Sequence, residues 1–312
     1  MHPSSVRIAT VFTCFLAVAP AIADDVRVTL IDGTLRVAGD ADGNRFILLQ
    51  NEASDLIALG FPGTTVNGQP VVRIPGATIE DVRIDLGGGS DNLGIGGLQV
   101  GNDMIINGAE GNDTIFQSNL PIAVGRNLII RLGGGGDGVS FDGLTVSGDL
   151  DLADPVGFQI SDFRNTVVTG SVNILGSIDS DVLIFDQADI AGLLQIASPG
   201  GGSTFIDDSA LGEVRLDFGT DEQSVARLDV VTVAGDVTIT TGALVDSVDF
   251  VDSQVGGAVA VALGDGDDFI EGRNLQVTGT LLFDGGDGVD TLTDGGFEAT
   301  GGETIINIEI IN

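Results

Sequence analysis

Gly235-Asp236-Val237-Thr238-Ile239-Thr240, Gly257-Ala258-Val259-Ala260-Val261-Ala262 and Gly279-Thr280-Leu281-Leu282-Phe283 repeat one pattern at an interval of 22 residues. A glycine turn is followed by apolar side chains at alternate positions. That period of two puts one row inward and one outward on a strand; a helix would need a period of 3.6. Working outward, the turn glycines are Gly101, Gly125, Gly148, Gly170, Gly192, Gly212, Gly235, Gly257 and Gly279, spaced 24, 23, 22, 22, 20, 23, 22 and 22 apart. No segment shows a helical apolar stripe with caps.

A fixed period with equivalent positions running in one direction predicts stacked coils. A sandwich would need hairpin reversals at two-residue turns. The expected fold is all-β: a parallel β-helix, or β-solenoid, of about ten coils of about 22 residues over 82–312. Each coil is read as three short strands: one ending at the turn glycine, one just after it, and one after a Gly/Asp-rich corner. The third strand often ends in Phe (Phe116, Phe141, Phe163, Phe185, Phe250), which predicts an internal ring ladder. Residues 24–81 fit the repeat poorly. Val26–Leu30, Thr34–Val37, Phe46–Leu49 and Val71–Ile74 read as strands of a small N-terminal β cap, with turns at Asp32-Gly33 and Asn67-Gly68. Solenoid ends need such covers, because an open sheet edge templates aggregation.

Residues 1–23 have the layout of a secretory signal peptide. Arg7 precedes an apolar run from Ile8 to Ala19, too short to span a bilayer, and Pro20-Ala21-Ile22-Ala23 precedes Asp24. Cleavage is expected after Ala23, giving a secreted or cell-surface protein with no membrane span. The only Cys (Cys14) and the only His (His2) leave with this segment. Of 12 Lys and Arg, Arg7 is lost, and all 46 acids remain, so the mature charge is 11 − 46 = −35. Disulfides, His- or Cys-based catalysis and His/Cys zinc sites are excluded for that chain. Nucleic acid is excluded as a partner by charge. Disorder is not expected, because 43% of residues are hydrophobic and the mean hydropathy is +0.34. A fold this acidic repels itself, and bound cations would offset the repulsion.

The corners carry the remaining signal. They read Gly87-Gly88-Gly89-Ser90-Asp91-Asn92-Leu93, Gly108-Ala109-Glu110-Gly111-Asn112-Asp113-Thr114-Ile115, Gly133-Gly134-Gly135-Gly136-Asp137-Gly138-Val139, Gly264-Asp265-Gly266-Asp267-Asp268-Phe269-Ile270 and Gly285-Gly286-Asp287-Gly288-Val289-Asp290-Thr291-Leu292. Asp and Gly are also what metal-free tight turns select. These corners resemble the hemolysin-type (RTX) calcium-binding nonapeptide, G-G-x-G-x-D-x-U-x with U apolar. Gly285 to Leu292 matches it throughout, and Gly108 to Ile115 matches with one Ala for Gly. The resemblance implies an oxygen cage for Ca²⁺, with Asp91, Asp113, Asp137, Asp268 and Asp290 facing the metal and Asp287 beside them. It covers about forty residues in five corners. The family runs its nonapeptides in tandem, whereas this chain has one corner per coil, so a site here must be built between neighbouring coils. Asp181 and Asp246 keep an aspartate near the register without the double glycine.

These features predict a non-catalytic extracellular structural or adhesin-like protein, stabilised by Ca²⁺ and contacting cell-surface or matrix components. The alternative is a carbohydrate-active enzyme of the polysaccharide lyase or hydrolase kind, using Asp and Arg with Ca²⁺. Arg126 and Arg131 near Asp137, and Arg273 near Asp268, are its candidates. No Trp or Tyr is present to form a sugar platform, and only Thr238-x-Thr240 and Thr278-x-Thr280 suggest an ice-binding rank.

Overall fold

In a computed structural model, which describes residues 24–219 and 222–312, the chain is a parallel β-solenoid of 34 strands with no helix among the described residues. The proposed signal peptide lies outside them. One column of paired residues measures the coil directly. Val82, Met104, Leu128, Leu150, Val172, Leu194, Val214, Val237, Val259 and Leu281 lie in successive register, at intervals of 22, 24, 22, 22, 22, 20, 23, 22 and 22. The spacings of 24, 20 and 23 ending at Gly125, Gly212 and Gly235 are therefore insertions and deletions in real coils, whereas the 23 between Gly125 and Gly148 is not, because Gly148 stacks on Arg126 and the core interval there is 22. At roughly 4.8 Å per coil, ten coils make a rod on the order of 48 Å long.

A complete coil contains the three expected strands, for example Ile122–Val124, Leu128–Gly134 and Asp137–Asp142. The turn glycines are needed because backbones meet there. Gly170, Gly192, Gly235, Gly257 and Gly279 each donate their N–H to the carbonyl of the equivalent glycine one coil earlier, at 2.6–3.0 Å. A Cβ on Gly279 would stand 2.5 Å from the Gly257 oxygen, inside van der Waals contact.

The interior is one continuous core running along the rod. Phe141, Phe163 and Phe185 stack with centroids 6.1 and 5.3 Å apart, each pair adding about 0.5–1.5 kcal/mol beyond area burial. Two of the predicted rungs depart from that ladder. Ile206 and Leu228 separate Phe250 from Phe185 in the same column, and its ring partner is Phe283, at 6.3 Å. Phe116 is paired with Ser140 and Gly94 on the outward row, so its ring lies over Gly94 and not in the core.

Residues 24–81 contain six strands where four were expected; Leu56–Gly60 and Thr64–Val66 are the additions. Part of this region is itself a rung. Thr34–Ala38 pairs in parallel with Asp81–Asp85, and Arg45–Gln50 with Asn92–Gly96. Leu56–Gly60 and Val71–Ile74 continue outward from Arg45–Gln50 as antiparallel strands. The Asp32-Gly33 and Asn67-Gly68 turns have φ of 48° and 76°, and of 50° and 71°, the left-handed pairs that tight hairpins require.

Candidate functional site

The aspartates of the five corners are buried and form a column inside one edge of the solenoid. Their exposed corner backbone is held by glycines. Gly135 and Gly288 have φ of 138° and 152°, and a Cβ on either would lie 1.6 or 1.5 Å from the carbonyl oxygen of Gly111 or Gly266 in the coil before. No other residue fits such an approach. The strand that follows then starts with the Asp side chain turned inward.

Each carboxylate caps the coil before it. The Asp91 N–H donates to Asp113 Oδ1 (2.9 Å), Asp113 N–H to Asp137 Oδ1 (2.7 Å), Asp246 N–H to Asp268 Oδ1 (2.7 Å) and Asp268 N–H to Asp290 Oδ1 (2.8 Å). Asn44 opens the column by donating to Asp91 (2.6 Å), and Glu309 accepts from Asp290 N–H (2.9 Å). In the middle, Gln159 donates its N–H to Asp181 (3.1 Å) and Ser224 to Asp246 (2.6 Å). Asp137 faces Gln159 instead of a carboxylate, and its N–H donates to the Phe158 carbonyl (2.9 Å).

The second carboxylate oxygen separates two kinds of corner. In the five motif corners, Oδ2 of Asp91, Asp113, Asp137, Asp268 and Asp290 is buried with no hydrogen-bond partner. In the two corners without the double glycine it is satisfied. Asp181 Oδ2 accepts from Ser177 N–H (2.8 Å) and Ser198 Oγ (2.9 Å), and Asp246 Oδ2 accepts from Gly242 N–H (3.2 Å). The glycine motif and the unpartnered oxygen occur together.

Burial and like charge act on these groups in the same direction. Burial pushes Asp91 up to about 7, with the Asp113 and Asp40 charges adding to it. Burial raises Asp137 and Asp268 to about 6. It also raises Asp113 and Asp290. The ordinary carboxylate value is near 4. Each column member therefore resists ionisation unless something positive, or a proton, meets the free oxygen.

Asp287 is exposed at the corner tip, paired with Asp265 across a bridge, and does not join the column. Among the described residues, no group of three or more His, Cys, Asp or Glu side chains converges in a way that could hold a metal. Gln159 and Ser224 were not anticipated as column members; stepping 22 residues from Asp137 and from Asp246 reaches them. Asn44 was hidden because 47 residues, including the N-terminal strands, separate it from Asp91. Nothing in the repeat pointed to Asp154, which is buried with both oxygens unpartnered.

The arginines proposed for catalysis do not meet the column. Arg126 pairs with Asp103, which holds that carboxyl below its usual value, and Arg131 is exposed on an outward row. Two surface features lie elsewhere. Asp186, Asp207 and Asp229 are in register on consecutive coils, and with Phe205, Asp208 and Arg227 they line a depression of about 350 Å³. Val156, Phe158, Ile160, Leu175 and Ile178 are exposed on neighbouring coils. No family model, curated protein or solved structure matches the chain. Fold and site together define a parallel β-solenoid with an internal aspartate column along one edge. No helix among the described residues is long and apolar enough to cross a membrane.

Proposed function

We propose that the protein is a non-catalytic extracellular β-solenoid, structural or adhesin-like, whose Gly-Asp corners are cross-braced by Ca²⁺. The observation that carries this reading is the coincidence of motif and orphaned oxygen: the five corners resembling the hemolysin-type nonapeptide are those whose Asp Oδ2 has no partner. Buried oxygens are otherwise nearly always satisfied, and an ion is a standard reason when they are not. Ca²⁺ takes six to eight oxygens at flexible geometry. With no three acids converging, Asp91, Asp113, Asp137, Asp268 and Asp290 would each share an ion with a neighbouring coil and with corner carbonyls. When bound, the ion supplies positive charge and cross-links coils. Export rests on the reading of residues 1–23. The exposed Val156, Phe158, Ile160, Leu175 and Ile178 form an apolar surface of the kind that contacts a partner, which supports a surface role.

The test is thermal unfolding followed by circular dichroism in EDTA, Ca²⁺ and Mg²⁺ at matched ionic strength. A hundredfold excess over Kd stabilises by about 2.7 kcal/mol per site, so the melting point rises in Ca²⁺ alone. One melting point in all three conditions rejects the reading.

A second reading is favoured by the acidic depression. Burial raises the Asp207 carboxyl, the Arg227 charge opposes this, and Asp229, Asp186 and Asp208 add to it, while Asp229 is paired with Arg227. Two neighbouring carboxyls, one of them made the weaker acid by burial, are the arrangement used in glycoside cleavage. On this reading the protein acts on a polysaccharide with Asp207 as the acid. Release of reducing ends that is lost in Asp207→Asn would support it, and no release from neutral or acidic polysaccharides would dismiss it.

A further inference from the structure

The coil containing Leu150–Ala153 and Gln159–Arg164 interrupts the aspartate column, and the way it does so defines another site. Gln159 occupies the aspartate position and is 0% exposed. Five residues earlier no other coil places a charge: the position is Leu86, Leu132 and Leu263 in three coils, Gly108, Gly176 and Gly285 in three more, and Thr241, which hydrogen-bonds Asp246, in another. Here that position is Asp154, also 0% exposed.

The glycines show where a side chain at this position points. A Cβ on Gly108, Gly176 or Gly285 would lie 2.6, 2.1 or 2.6 Å from Oδ2 of Asp113, Asp181 or Asp290, the residue five further on. Asp154 is therefore directed into the corner where Gln159 stands. Asp137 lies in the coil before and Asp181 in the coil after. Both press on the Asp154 carboxylate electrostatically, Asp137 more strongly, with exposed Asp179 adding to them. Both Asp154 oxygens, Gln159 Oε1 and Asp137 Oδ2 are buried without a hydrogen-bond partner, and Asp137 is only 4% exposed. The Gln159 amide nitrogen is turned to Ser161 Oγ. Three side chains thus bring four acceptor oxygens to one buried stretch of corner, where the Val156 N–H is the backbone donor beside the Asp154 carboxylate.

We propose that Asp154, Gln159 and Asp137 hold a calcium ion in the middle of the solenoid, at a site that the nonapeptide motif does not describe. A water molecule could donate to two of these oxygens but would leave the buried charge unbalanced. Carboxylate and amide oxygens are hard donors, which select Ca²⁺ over softer metals. The Leu that other coils carry would fill the position without any ionic demand, so an Asp there needs a counter-charge to be tolerated. The site shares Asp137 with the corner sites, and its other two ligands lie outside them.

Native mass spectrometry of the full chain, titrated with Ca²⁺, counts the ions. Asp154→Leu restores the side chain of the Leu132 and Leu263 positions, and Asp154→Asn keeps the shape. Both are expected to bind one ion fewer than the wild type while the Ca²⁺-induced rise in melting point from the remaining ions persists. In EDTA, Asp154→Leu is expected to melt higher than the wild type. An unchanged ion count in both variants overturns the proposal and makes Asp154 a neutral, protonated acid, with the corner reading untouched. A single ion that survives Asp113→Asn and Asp268→Asn but not Asp154→Asn rejects the corner reading and keeps this site. No ion in any form rejects both.

Discussion

Replacing Asp268 with Asn is expected to stabilise the metal-free protein and weaken the calcium-loaded one. Asp268 is sealed from solvent, accepts the Asp246 N–H through Oδ1, and has nothing on Oδ2. Burial, with Asp246, Asp290 and Asp267 adding charge, raises its pKa from 3.8 to about 6. That is roughly two units, or about 3 kcal/mol at 1.36 kcal/mol per unit. It is a ceiling, because exposed Asp265 and Asp267 flank the corner and water beyond them screens the charge. Between pH 4 and 6 the native state holds this proton and the unfolded chain has released it. Stability therefore falls as pH rises through that window and is level above it. Asn keeps the Oδ1 acceptor and removes the charge. In EDTA at pH 8 the variant should melt higher by roughly 5–10 °C, at about 2–4 °C per kcal/mol for a chain of this size. At pH 4 the two should converge. At the site lost in the variant, calcium at a hundredfold excess over Kd returns about 2.7 kcal/mol to the wild type, which roughly cancels the difference, and at a thousandfold about 4.1 kcal/mol, which reverses the order. Circular dichroism melts at both pH values, with and without Ca²⁺, provide the readout. Coincident melting points at pH 8 in EDTA and in Ca²⁺ would refute the claim that the column holds a costly charge awaiting a cation.

The chelated wild type should lose stability from pH 4 to pH 7, as Asp137 and then Asp91 give up protons held to about 6 and about 7, and saturating Ca²⁺ should flatten the profile; stability rising over that range in EDTA would contradict the column. Asp181→Asn should cost about 1–3 kcal/mol equally with and without Ca²⁺, because Ser177, Ser198 and Gln159 already satisfy its carboxylate; a Ca²⁺-dependent loss in denaturant titration would place a metal there. Phe163→Ala should cost about 3–5 kcal/mol in the same titration, since its ring is buried between Phe141 and Phe185. Gly288→Ala should lower the melting point in both EDTA and Ca²⁺, because the added Cβ meets the Gly266 oxygen at 1.5 Å; a melting point equal to the wild type's would mean that the corner relaxes freely.

The coil and its three strands were legible because periodicity reports them directly. Leu128, Leu150, Val172 and Leu194 pair in register, and their sequence spacing is the coil length. Burial of the five corner aspartates was legible only through the glycines beside them. Glycine at Gly135 or Gly288 means that backbone approaches backbone, and the side chain two residues on, Asp137 or Asp290, is then carried inside while the intervening Val289 stays exposed. The nonapeptide pattern put Asp290 at its aspartate position and Asp287 at a variable one, yet it left open whether Asp287 joins the site. Both lie in the same nonapeptide, and only strand phase turns one outward and the other inward. Phe116 failed for the same reason: its register with Gly94 and Ser140 is one residue out of phase with the ladder at Phe141. Asp154 was invisible because its position is normally apolar and no motif marks it. The 24–81 strands were only partly legible because antiparallel pairs there replace the repeat that made the other coils readable.

The column also explains why the motif decays in the middle. Parallel coils place equivalent residues roughly 4.8 Å apart, so an unbroken rank of ionised aspartates would set like charges at that spacing through the whole rod. The chain instead has Asp91, Asp113 and Asp137 in one run and Asp246, Asp268 and Asp290 in another, with Gln159, Gly202 and Ser224 at the intervening paired positions. Asp181 is the one column carboxylate between the runs, and serines hold both its oxygens. The backbone cap that each side chain provides is kept where it can be, while charge is confined to short runs that a few cations can neutralise. On that view the middle coils are the part of the rod that stands without ions at the motif corners. The exposed apolar residues Val156, Phe158, Ile160 and Ile178 sit in that stretch, where glycine-rich metal loops are absent and the corner is open to carry side chains. If cations bind as proposed, they brace the two motif runs and the single Asp154 interruption, while the rest of the middle presents a surface, a division that the ion count and the Asp154 variants test directly.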